Sequence, residues 1–91
     1  MSVVVRLPSQ LRALVGGVGE VPVEAATVRE AIEAVDQKYP GLAARVLDDR
    51  GLLRRFVNVF VADEDVRFLQ GLDTAVEPGQ TVSLVPAVAG G

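Results

Sequence analysis

The sequence predicts an α+β domain: a mixed sheet of four to five strands with one main helix on one face. Three observations carry this prediction. Apolar runs that alternate as strands do stand near both ends of the chain and past its middle. One stripe at helical period lies between them, and turn-forming residues separate the runs.

Ser2 to Leu7 alternates with period two, placing Val3, Val5 and Leu7 on one face and Val4 and Arg6 on the other, less buried one. Gln10 to Val15 reads as a short helix or a turn before Gly16 and Gly17. Glu20 to Glu24 then reads as a second strand, across a hairpin-like connection whose length leaves the turn type open. Thr27 and Glu30 form a capping box, in which the Thr hydroxyl accepts from the Glu30 N–H and the Glu carboxylate reaches back. The helix that starts there presents Val28, Ala31, Ile32, Val35 and Tyr39 as one apolar stripe, with Arg29, Glu30, Glu33 and Asp36 facing away. Pro40 and Gly41 end it. Leu42 to Leu47 adds a helical turn, and Asp48 to Gly51 has the composition of an exposed loop.

Phe56 to Ala62 is the clearest strand, with Val57, Val59 and Val61 on one face and Phe56, Asn58 and Phe60 on the other, wetter one. Asp63, Glu64 and Asp65 make an acidic turn into a short strand, Val66 to Phe68. That turn lacks the glycine and the terminal bidentate Glu of a calcium loop, so it reads as a solvated hairpin tip. Glu77-Pro78-Gly79-Gln80 is a tight turn, because Pro presets φ and Gly accepts positive φ. Thr81 to Pro86 is the last strand.

Strand, strand, helix, strand, short strand, strand is a β-grasp (ubiquitin-like) order. It closes most economically with the first and last strands parallel at the centre. Residues 1–86 are expected to form this domain and residues 87–91 a flexible C-terminal tail. The expected core is Val3, Val5, Leu7, Val28, Ile32, Val35, Val57, Val59, Val61, Val82 and Leu84.

Ninety-one residues support one such core and leave no room for a second domain. Nine basic residues are scattered among twelve acidic ones for a net charge of -3, which argues against nucleic acid as a partner. The local cluster Arg50, Arg54 and Arg55 reads as a solvated loop edge. Cysteine and histidine are absent, which removes disulfides, thiol nucleophiles, the usual zinc sites and the commonest general base. No signal peptide or membrane-spanning run is evident, so a cytoplasmic location is expected, with no membrane partner.

The reactive element is expected in the tail Ala87-Val88-Ala89-Gly90-Gly91. Two residues without side chains form a strip thin enough for a narrow enzyme channel, with backbone angles closed to other residues. Five extended residues reach roughly 17 Å, enough to carry a carboxylate into a partner's nucleotide site. Ordering them costs on the order of 5 to 10 kcal/mol, so Ala87, Val88 and Ala89 are expected to become fixed only by pairing with that partner. A carboxylate acylates poorly until it is joined to AMP. Sulfur then displaces AMP to leave a Gly91 thiocarboxylate, a soft nucleophile made without cysteine.

The chain resembles the MoaD/ThiS family of ubiquitin-like sulfur carriers over essentially its whole length. More narrowly, Phe56-Val-Asn-Val-Phe-Val61, Asp63-Glu-Asp-Val-Arg-Phe68 and Val85-Pro-Ala-Val-Ala-Gly-Gly91 look like the CysO-type carriers of cysteine biosynthesis. The resemblance implies a carrier and not an enzyme, with Gly90 and Gly91 as its functional residues. It also implies three partners: a MoeB-like adenylating enzyme, a CysM-type PLP-dependent cysteine synthase and a Mec-type zinc peptidase. The ATP, PLP and zinc belong to those partners, and the carrier itself binds no cofactor.

Rival readings are the MoaD-like small subunit of molybdopterin synthase, a carrier for thiamin or tRNA thiolation, and a ubiquitin-like modifier or binding module. The single lysine, Lys38, disfavours chain building on itself. Val4, Arg6, Phe60 and Val85 are expected to share the sheet face away from the helix and to form a partner-binding patch.

Overall fold

The computed structural model describes residues 2–55 and 57–86. The five strands are β1 (Ser2–Arg6), β2 (Glu20–Glu24), β3 (Val57–Val61), β4 (Glu64–Asp65) and β5 (Thr81–Pro86). They form one sheet in the order β2-β1-β5-β3-β4. The central pair β1 and β5 is parallel and every other pairing is antiparallel, so the predicted arrangement of first and last strands is the observed one. Phe56, which the sequence places at the start of the middle strand, lies outside the described residues.

The helices are α1 (Ser9–Arg12), continued by a 3-10 turn over Ala13–Val15, the long α2 (Val28–Lys38), and α3 (Leu42–Val46). α2 starts where its cap dictates: the Glu30 N–H donates to Thr27 Oγ1 at 3.2 Å. The returning Glu30 carboxylate accepts from the Ala26 N–H at 2.9 Å, one residue ahead of the cap residue itself. Val28, Ala31, Ile32 and Val35 are buried against the sheet, while Tyr39 at the helix end is only partly buried.

All eleven expected core residues are buried, and the core extends further, to Val15 before β2, to Leu42 and Val46 on α3, and to Val66 and Leu72 after β4. α3 is joined to α2 by Asp36, whose Oδ1 accepts from the Gly41 and Ala43 N–H groups, both at 3.0 Å. These are donors at the start of α3, a position usually served by a residue's own side chain. The Glu77–Gln80 turn also forms as read: the Gln80 N–H donates to Glu77 O at 3.0 Å, and Gly79 takes φ 86°.

The expected strand over Val66 to Phe68 is a 3-10 turn instead. Ala62 and Asp63, at φ 52° and 68°, complete the reversal by themselves, so Glu64 already pairs with Val61 and Asp65 with Phe60. Asp65 Oδ1 then accepts from the Arg67 N–H at 2.8 Å, turning the chain out of the sheet. Glu64 and Asp65, read as part of the turn, are therefore the strand, and Val66 to Phe68, read as the strand, is the 3-10 turn.

Candidate functional site: the open sheet face and the root of the tail

The sheet face turned away from α2 is made of the residues that alternate with the core. One row crosses all five strands. Arg6 pairs with Glu20 on one side and Ser83 on the other, Ser83 pairs with Phe60, and Phe60 pairs with Asp65. Directly paired residues share a face, so Arg6 and Phe60 flank Ser83. With Ala62 and Thr81 they line an open hollow of about 290 Å³.

Val4 pairs with Thr81, one row toward the start of β5, and Val85 pairs with Asn58, one row toward its end. The four expected patch residues thus lie on one face, but Val4 and Val85 stand about 13 Å apart along the strand direction. Val85 is exposed at 40 %, whereas Val4 and Phe60 are half-buried.

Arg6 is engaged on this face. Its Nε and Nη2 both donate to Glu20 Oε2, at 3.0 and 2.9 Å, and both side chains remain more than half exposed. Exposed pairs of this kind contribute about 0–1 kcal/mol, so a partner's carboxylate can replace Glu20 at small cost. Thr81 and Ser83, which place hydroxyls at the centre of the face, were not singled out from the sequence. The alternation of β5 carried the signal, since both interleave with the core positions Val82 and Leu84.

β5 is a central strand, bonded to β1 on one edge and β3 on the other, and its last residue Pro86 pairs with Val57. The expected reactive residues Gly90 and Gly91, with Ala87, Val88 and Ala89, follow it and lie outside the described residues. Among the described residues no helix is long and apolar enough to cross a membrane.

The sequence model of the ThiS family matches residues 5–91. The chain belongs to the ThiS family. Within it, the chain is 43% identical over 93 residues to the sulfur carrier protein CysO of Mycobacterium tuberculosis, covering 100% of both chains. The crystal structure of that M. tuberculosis CysO superposes with TM-score 0.90 at 41% identity, covering 94% of this chain and 99% of the other. A chain of the crystallised BexX/CysO complex of Amycolatopsis orientalis superposes with TM-score 0.91 at 45% identity, covering 98% and 99%. By homology this ThiS-family chain is therefore CysO-like, a small carrier protein and not an enzyme.

Proposed function

We propose that the chain delivers sulfur for cysteine biosynthesis from a thiocarboxylate formed at Gly91. The observation that carries this reading is the likeness to a sulfur carrier along the full length of both chains, with the family match running through the diglycine to residue 91. In the first step the Gly91 carboxylate attacks ATP on a MoeB-like adenylating enzyme, forming the acyl-adenylate and releasing pyrophosphate. A sulfur nucleophile then forms the C–S bond as the C–O bond to AMP breaks. This chain's contribution is a side-chain-free end that fits a narrow channel, held on a rigid domain that the enzyme can grip.

The sulfur passes next to a CysM-type PLP-dependent cysteine synthase, and a Mec-type zinc peptidase releases the amino acid. ATP, PLP and zinc act in those partners, all in the cytoplasm. Support for a protein partner comes from the Amycolatopsis relative, which was crystallised in a BexX/CysO complex.

Incubation with ATP, sulfide and the MoeB-like enzyme should raise the intact mass by the difference between sulfur and oxygen. A variant ending at Ala89 should stay unchanged. Full sulfur delivery by that truncated variant would overturn the reading. Recovery of a molybdopterin-synthase large subunit in place of a cysteine synthase would redirect it to the MoaD-like role, and lysine-linked adducts lost on deleting Gly91 would redirect it to protein modification.

A further inference from the structure

β1 and β5 are parallel and leave the sheet at the same end, and β3, antiparallel to β5, begins there. That end carries a second hollow, of about 330 Å³, separate from the one beside Ser83. Its apolar lining includes Leu11, Val57, Leu84 and Pro86, drawn from α1, β3 and β5. Among the described residues the charged side chains lining it are Arg45 and Arg54, with no carboxylate in that lining, in a chain whose net charge is -3.

The two arginines differ in what they do. Arg54 is fixed, donating from Nε and Nη2 to Ala44 O at 3.2 and 3.0 Å. The Arg45 side chain is exposed on α3 and makes no hydrogen bond or ion pair among the described residues. A cation beside an apolar hollow, with no counter-charge among the described residues, matches a partner that brings both an apolar side chain and a carboxylate. Position narrows the partner to the enzymes that act on Gly91, of which the adenylating enzyme is the one that must draw the end into a nucleotide site. Pro86 lines the hollow and Gly91 lies five residues further on, so an enzyme holding Gly91 at its nucleotide site must sit within roughly 17 Å of the hollow.

We infer that the hollow beside Pro86 is an anchor site for the adenylating enzyme, filled by one apolar side chain of that enzyme with a neighbouring carboxylate against Arg45. The inference rests on the carrier reading and extends it, because it places part of the recognition beyond the diglycine, in a hollow that adjoins the open sheet face at Val85. Anchors seated in a hollow dominate binding energy, whereas charges at the margin set encounter rate and salt dependence.

The test is the steady-state rate of ATP- and sulfide-dependent thiocarboxylate formation on the full chain, with the MoeB-like enzyme of the same organism. Ala44→Trp fills the hollow from α3, and Arg45→Glu reverses the free charge. Each should raise KM for the carrier by about tenfold with kcat unchanged. Arg45→Glu should also flatten the rise of KM with salt, and Lys38→Glu, far along α2, should behave as wild type. Wild-type KM for both Ala44→Trp and Arg45→Glu would overturn the inference while leaving the carrier reading intact. Failure of the wild-type chain to gain sulfur would overturn the carrier reading and the inference together. Should Ala44→Trp lose its fold by circular dichroism, Arg45→Glu at its exposed position decides the matter.

Discussion

The Arg67 guanidinium donates a 2.7 Å hydrogen bond to Asn58 Oδ1, fastening the turn after β4 to the open side of β3. Its Nη2 also donates to Arg54 O at 2.8 Å and Val57 O at 2.7 Å, so one side chain ties together the loop before β3, the strand itself and the turn beyond it. Arg67→Ala should lower stability by about 1–3 kcal/mol, because it strips the donor from three oxygens at once. Arg67→Lys should recover little, since a single ammonium cannot reproduce the planar fork. Urea melts of the three proteins check this.

Thr27→Ala removes the acceptor for the Glu30 N–H and should cost about 1 kcal/mol, with Thr27→Ser close to wild type. Thermal unfolding should show the ordering wild type, Ser, Ala.

Asp48 closes the loop after α3, its Oδ1 accepting from the Leu52 N–H at 3.1 Å and the Arg50 N–H at 2.8 Å. Those two backbone bonds, Leu52 first, hold its carboxyl below the ordinary value of 3.8. A carboxyl with a depressed folded value contributes stability that is fully present above 3.8 and is lost as pH falls through the lower folded value. The stability difference between wild type and Asp48→Asn should therefore be constant at neutral pH and shrink in strong acid. A difference that holds constant down to acid unfolding would contradict this role.

Phe60→Ala opens the hollow beside Ser83 and removes the largest apolar side chain of the central row. If the open face docks a partner, this variant should keep its fold and raise the KM for sulfur loading or transfer by about tenfold. Unaltered loading and transfer in a folded Phe60→Ala protein would rule that face out.

What the sequence makes legible here is whatever depends on near neighbours in the chain. The Thr27–Glu30 cap, the α2 stripe, the Pro78-Gly79 turn and the alternation of β1, β3 and β5 all act over a few residues, and each is found where it was expected. Parallel pairing of β1 with β5 follows as well, since one helix can cover only one face of the sheet. The misreading around β4 arose because Ala62 shares the positive-φ turn with Asp63 without being a turn-forming residue, so the composition signal at Asp63 placed the turn too late in the chain. The Asp36 link to α3 and the Arg67 fork depend on which segments meet in space, and a surface Asp or Arg looks the same in sequence whether or not it has such work. Gly90 and Gly91 were chosen on chemistry and on the family resemblance, and the fold shows only the strand that leads toward them.

That strand has a mechanical consequence. β5 is laced to a neighbour along both edges, to β1 through Thr81–Ser83 and to β3 through Val82–Pro86. A tug on the backbone just past Pro86 loads these two ladders in shear, many bonds at a time, and does not peel them one by one as it would at an edge strand. On the proposed carrier role, an enzyme could thus draw the end into a tight channel and release it again, turnover after turnover, without unravelling the body to which it is tethered.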